Sequence, residues 1–219
     1  MEALRIELYQ DSACYRKPFA YKVTETYPLP PYSTVIGMLH NILGAEEYVP
    51  MEVSIQGDYE SIFNSYNTMY FYKSNAVTTM PLNIHMLYGI NLIIHVTASE
   101  EVLQQLYEKI KSASEYFSLG RREDLARIDK VEFVQVYEQD AYQYSTDGNY
   151  TIKRPIYIPK KQINCELNGI NYRLNTRYQI KNYIRVWEKI DVLYVDAGEE
   201  IDDGLIFIDK KYDDLVYFS

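Results

Sequence analysis

Two cysteines in 219 residues, Cys14 and Cys165, are too few and too far apart for a disulfide framework. They also lack metal-ligand spacing, so a reducing compartment is expected. The chain has no long apolar run; the stretch at 90–96 is too short and too interrupted to span a bilayer. Its first residues, Leu4-Arg5-Ile6-Glu7-Leu8-Tyr9, alternate like a strand and lack the cationic and apolar regions of a secretory leader. A soluble, cytoplasmic protein with no membrane partner is the expectation. No P-loop, Ser-His-Asp set or metal-ligand cluster is visible, so no cofactor, metal or catalytic residue is assigned. Histidine is scarce. His40 falls in a predicted helix and His85 and His95 in a predicted strand, where each reads as structural or substrate-facing rather than as a general base.

Positive charge is also in short supply, with a net charge of −9. The balance is uneven along the chain. Residues 1–152 hold 11 basic and 20 acidic side chains, residues 153–185 hold 8 basic against Glu166 alone, and residues 186–219 hold 3 basic and 10 acidic. A basic segment is thus masked by acidic surroundings, and the local field matters more than the global one. A protein built only for non-specific duplex binding would be basic overall, so a defined stretch of nucleic acid within a larger assembly fits better. Tyrosine is abundant, 24 of 219 residues, and suits strands, interfaces and base stacking alike; most are expected to be structural.

Residues 4–9 read as a first strand, followed by a polar connection through Cys14-Tyr15-Arg16-Lys17-Pro18. In Pro30-Pro31-Tyr32-Ser33-Thr34-Val35-Ile36-Gly37-Met38-Leu39, the prolines precede a helix for which Ser33 or Thr34 makes an N-cap and Gly44 a stop. Val35, Met38, Leu39, Ile42 and Leu43 share one face, and Gly37 is expected to allow close packing on a sheet. Strand patterns follow at 53–56, 65–73 and 85–97, the last with a bend at Gly89. The polar region 58–84 resembles a projecting finger. A second helical pattern starts after Ser99 and runs over 100–116, and a strand follows over 129–138. The order β-α-β-(finger)-β-α-β predicts an α+β, ferredoxin-like (RRM-like) domain over 1–140. Beyond it, a turn at Asp147-Gly148 and short strand patterns predict a small β-rich C-terminal domain over 141–219.

Between the second helix and the next strand lies Ser118-Leu119-Gly120-Arg121-Arg122-Glu123-Asp124. Gly120 would let backbone approach a ligand closely, and Arg121 and Arg122 offer forked donors suited to phosphates. The same residues also suit a glycine-capped helix C-terminus. Glu123 and Asp124 repel phosphate and are expected to orient the arginines or cap a turn. Ser33 and Thr34 could donate to a phosphate at a helix N-terminus or simply cap it. Tyr15, Arg16 and Lys17 could grip a nucleic-acid backbone, stack on a base, or form a solvated loop. Lys73 closes the finger strand. The basic 153–185 stretch is either a second nucleic-acid surface, toward target DNA, or a solvated face.

Placed on these elements, Pro30 to Leu39 resembles the Pro-Pro-x-Ser-Thr-x-x-Gly-hydrophobic signature of the CRISPR-associated Cas-five family. Leu119-Gly120-Arg121-Arg122-Glu123-Asp124-Leu125 resembles its glycine loop, and the element order resembles the RAMP superfamily. The likeness covers roughly residues 1–140 and is strongest to the type I-B form. It implies a non-catalytic subunit of the Cascade surveillance complex that caps the 5′ handle of the guide crRNA. It further implies contact with the backbone (Cas-seven-type) subunit through the finger and docking of the large (Cas-eight-type) subunit. On the RNA reading, the expected binding set, from the chemistry of each residue, is Tyr15, Arg16, Lys17, Tyr32, Ser33, Thr34, Lys73, Gly120, Arg121 and Arg122. One branch of the family instead cuts precursor crRNA with a Tyr, Lys and His constellation, which leaves an endoribonuclease as the alternative. A protein-interaction module without RNA contact is a third reading.

Overall fold

A computed structural model describes residues 1–18, 23–144 and 149–219. The expected Asp147-Gly148 turn lies outside the described residues. The chain runs β1 (Glu2–Ala13), β2 (Val23–Thr24), α1 (Tyr32–Leu43), β3 (Glu52–Asp58), β4 (Ser61–Tyr72), β5 (Val77–Thr97), α2 (Glu100–Lys111), β6 (Phe117–Ser118) and β7 (Leu125–Asp140). Then follow β8 (Tyr150–Thr151), β9 (Ile156–Pro159), β10 (Ile170–Lys181), β11 (Ile184–Val195), β12 (Glu200–Ile201), β13 (Leu205–Asp209) and β14 (Asp214–Leu215). The architecture is α+β: a mostly antiparallel, twelve-stranded sheet in the order β10-β11-β9-β3-β5-β1-β7-β13-β14, with β2 and β4 on β5 and β6 on β7. β8 and β12 pair separately.

The alternation in β1 builds the centre. Leu4 lies between Val96 and Phe133, and Ile6 between Ile94 and Val131; Val53 and Ile55 of β3 extend both rows. These rows face the apolar stripes of α1 (Val35, Met38, Leu39) and α2 (Leu103, Leu106, Ile110) in one core. Burying each such side chain contributes about 1.5–3 kcal/mol. The intervening residues form a polar row on the other face, Glu132–Arg5–His95–Ser54. Residues 205–219 cover that face: the Ser54 hydroxyl accepts from the Tyr217 amide, and the Gln56 side chain donates to the Leu215 carbonyl.

Several local expectations are corrected. Helix α1 starts at Tyr32 with Pro31 in the N-cap position, so Ser33 and Thr34 lie inside its first turn and cap nothing. Proline presets the φ needed to enter the helix, which moves the start two residues earlier. Gly37 faces solvent, with nothing within 4 Å of where a Cβ would stand, so it serves no close packing. Gly44 does end the helix in the left-handed conformation. Helix α2 stops at Lys111 rather than near 116, which leaves Gly120 outside any helix cap.

The finger is the β4–β5 hairpin, paired from Ser61↔Tyr88 to Tyr72↔Val77. Its outer half is exposed, but Leu82, Ile84 and Met86 at its base pack with Cys14 in a small core. Residues 141–219 gather an apolar cluster of their own around Ile156, Ile158, Val195 and Ile206. Yet most of their strands join the main sheet, β9–β11 beyond β3 and β13–β14 beyond β7. No helix among the described residues is long and apolar enough to cross a membrane.

Candidate nucleic-acid interface

Strands β6 and β7 pair at Phe117↔Ala126 and Ser118↔Leu125, so the Gly-Arg-Arg loop is a short hairpin connection rather than a helix end. Leu119 is buried and anchors it. Gly120 sits at φ +112°, and a Cβ there would come within 2.8 Å of the Asp124 Oδ2 atom. That carboxylate organises the loop. Asp124 is 2% exposed; its Oδ2 accepts from the Arg121 amide at 2.8 Å and the Cys14 amide at 3.0 Å, and its Oδ1 from Arg121 Nη2 at 2.6 Å. Glu123 lies 3.1 Å from Arg121 Nη1. The hydrogen bond to Asp124 outweighs partial burial and holds the Arg121 guanidinium charged above its ordinary range. The expectation that Glu123 and Asp124 orient an arginine or cap a turn therefore holds.

Buried Gln10 ties this loop to the end of β1. Its amide donates to the carbonyls of Leu119 and Asp124, while its oxygen accepts from the Tyr15 hydroxyl. Arg121 and Arg16 both lie within electrostatic reach of Cys14, whose thiol is nonetheless pushed up, chiefly by burial. The two arginines of the motif thus differ. Arg121 is pinned by its two acidic neighbours; Arg122 is exposed and has no ion pair among the described residues.

The remaining expected site residues divide by burial. Tyr15 and Tyr32 are core residues, 1% and 0% exposed, and their rings are not available to stack on a base. Tyr32 packs against Tyr157, whose hydroxyl donates to the Leu29 carbonyl, within a cluster that also holds Tyr172 and Tyr194. Arg16 is exposed, bridging to Thr26 through backbone. Lys17 is half-buried, 3.4 Å from Glu25. Ser33 and Thr34 are half-buried, and no hydrogen bond among the described residues links them to the loop. Lys73 is exposed at the finger tip, its amide bonded to the Ala76 carbonyl. The structure therefore holds Gly120, Arg121 and Arg122 in one loop bonded to the Cys14 amide, two residues before Arg16, and places Lys73 at the finger tip.

Two histidine environments matter. A cleft of about 400 Å³ is lined by Lys17, His85, Tyr59, Tyr172 and Asp196, a grouping that sequence spacing could not reveal. His95, Asp209 and Asp214 bring ligand atoms within 4.8 Å of one another, fully buried. Arg5 occupies that position as a cation, donating to Asp214 at 2.7 Å and lying 3.5 Å from Asp209, so the cluster is a neutralised charge network rather than a metal site. His40 binds the Val49 carbonyl and is structural.

Sequence reading missed the long β10–β11 hairpin, whose outer half is exposed and carries Arg177, Lys181 and Arg185. The two-residue Asn182-Tyr183 turn has both residues in the left-handed region, φ +51° and +62°, and Asn182 was the available signal.

No curated protein matches the chain by sequence. A solved CRISPR RNA-guided surveillance complex contains a chain of similar fold, at TM-score 0.61 and 13% identity over 90% of both chains. A type III-B Cmr-beta complex bound to cognate target RNA and AMPPnP contains another, at TM-score 0.50 and 11% identity over 90% of this chain and 85% of that one. A CRISPR protein from Archaeoglobus fulgidus aligns at TM-score 0.49 and 11% identity over 99% and 98%. At such identities the first two likenesses are of fold alone. The family model for CRISPR-associated protein (Cas_Cas5) matches residues 3–174, from the first strand into β10, and the chain belongs to that family.

Proposed function

We propose that this protein is a non-catalytic subunit of a type I Cascade complex, most like the I-B form, that holds the 5′ handle of the guide crRNA. The strands β3-β5-β1-β7, with α1 and α2, are read as its ferredoxin-like (RRM-like) unit, and residues 141–219 as its β-rich extension. The observation that carries the proposal is the loop, tied by Asp124 to the Cys14 amide just past the end of β1, that presents Arg122 and Arg121. RRM modules stack bases on the open sheet face. Here residues 205–219 close that face, which leaves phosphate clamping from the loop rim as the available mode. The finger, with Tyr66, Tyr70, Phe71, Tyr72 and Val77 exposed, is suited to the backbone (Cas-seven-type) subunit, and the large (Cas-eight-type) subunit docks elsewhere.

The test is guide-RNA binding by the Arg121→Ala, Arg122→Ala variant across a salt series. Losing charge-assisted bonds to phosphate costs about 1.5–3 kcal/mol each at most. Arg122 carries the larger share, since Arg121 divides its donors with Asp124. The salt slope should shrink as well. Unchanged affinity and slope in a normally melting variant would remove the loop from the RNA site.

One observation favours the endoribonuclease reading: the cleft that gathers Lys17, His85 and Tyr172. A base and a cation in one cleft are what metal-independent RNA cleavage requires. Incubating the protein with labelled repeat RNA and chelator decides it. The non-catalytic reading expects intact RNA; specific cuts lost in His85→Ala would make the protein an enzyme.

A further inference from the structure

The outer half of the β10–β11 hairpin carries an aromatic and cationic face that neither the family motifs nor the loop accounts for. Antiparallel register pairs Tyr178 with Trp187 and Ile180 with Arg185, so these four side chains share one face. The rings of Tyr178 and Trp187 meet edge to face at 5.2 Å, and the Arg185 guanidinium stands 4.7 Å over the Tyr178 ring. Tyr178 is 43% exposed and Trp187 37%, high for aromatics that could have been buried. On the opposite face Arg177 and Gln179 are held by Glu188.

Charge selects the occupant. From Asn171 to Trp187 there is no acidic residue, while Arg173, Arg177, Lys181 and Arg185 recur every fourth position in a chain of net charge −9. Lys181 and Arg185 have no ion pair among the described residues. A protein-binding patch would use the same aromatics, but it does not require acids to be absent from the face that carries them; Glu188 lies on the other face. The turn adds an independent sign. Tyr183 occupies the second left-handed position of a two-residue turn, where glycine is favoured, yet its ring is fully exposed and packs on nothing that would repay the strain.

We infer that this hairpin face is a second nucleic-acid site, taking unpaired bases on Tyr178 and Trp187 and their phosphates on Arg185. Single strands are specified because every base offers a ring face for stacking, which a duplex hides. The site lies on a different hairpin from the Gly-Arg-Arg loop and does not depend on the handle reading.

Trp187 is the chain's single tryptophan and so reports directly. The experiment is a fluorescence titration of the full chain at low salt with oligo(dT), oligo(U) and a short duplex. The expected result is saturable, salt-sensitive quenching by the single strands, weaker with duplex. Tighter oligo(U) binding would point to guide RNA as the occupant, tighter oligo(dT) to a DNA strand. Tyr178→Ala and Arg185→Ala should each weaken binding about fivefold or more. Tyr183→Gly should weaken it while leaving the melting temperature unchanged or higher, a split that a merely structural tyrosine would not give. Arg121→Ala with Arg122→Ala should leave the Trp187 signal intact, so the two sites fail separately. Absence of quenching by either single strand, or equal binding by all hairpin variants, would overturn the proposal. Protection of this hairpin by a protein subunit in nucleic-acid-free complex would overturn it too, in favour of protein docking.

Discussion

Gly120 shows how much one residue can fix at this interface. Its φ of +112° is one that side-chain-bearing residues rarely adopt, and an added Cβ would press on the carboxylate that holds Arg121 and the Cys14 amide together. Gly120→Ala should therefore cost about 1–3 kcal/mol of stability, read as a lower melting temperature, and should loosen RNA capture as well. Arg122→Ala, by contrast, should stay within about 0.5 kcal/mol of wild-type stability, because the side chain is exposed and has no ion pair among the described residues. A melting curve for Gly120→Ala that overlays wild type would disprove the strained-loop account. That the acids of the Gly-Arg-Arg-Glu-Asp run hold one of its arginines was legible from residue types alone. Its division of labour was not, since two adjacent arginines are equivalent on paper until Asp124 is seen to be buried beside one of them. Tyr15 and Tyr32 show the converse: motif position gave identity, but exposure depends on what packs over a ring.

At the level of elements, the finger was recognisable from its polar, tyrosine-rich sequence between two strand patterns. Its base was not, because Leu82, Ile84 and Met86 bury against Cys14, which lies just past β1 and far away in sequence. A deletion spanning 58–84 would remove part of that small core. Replacing residues 70–79, between the paired Met69 and Met80, with a two-residue Asn-Gly turn should spare it. Such a protein should melt near the wild-type temperature yet fail to co-purify with the other complex subunits on size exclusion. A complex of normal composition would sink the assembly role of the finger. The β10–β11 hairpin escaped notice for a different reason: without the Asn-Gly signature, and with a register shift between Asn175 and Tyr178, its alternation reads as two short strands.

Across the whole molecule, the polar side of β1 and β5 becomes interior. His95 is fully buried, which lowers its proton affinity below the ordinary value of 6.5 despite the Asp209 hydrogen bond. Burial opposes ionisation of Asp209, but hydrogen bonds from His95 and the Lys211 amide outweigh it and hold this carboxyl below its usual range. Both groups therefore bind protons more readily in the unfolded chain. Stability should fall as pH drops below about 6.5, where unfolded His95 protonates first, with a further loss below about pH 4 from Asp209. Thermal melts between about pH 7.5 and 5 should show the decline, and His95→Gln should flatten it. An identical pH slope in the variant would exclude His95 as its source.

What the sequence determined by itself was periodic and local: the alternating and helical patterns, the glycine loop, and the motifs that mark the family. These depend on neighbours within a few positions, which is the range over which hydrophobic period and turn chemistry act. Tertiary structure decided what depends on distant partners. Arg5 meets Asp214 across 209 positions, and the final residues close a sheet face whose polar alternation had every local sign of solvent exposure. A buried ion pair and a solvated one carry the same residue types, and only the packing of the far end of the chain distinguishes them.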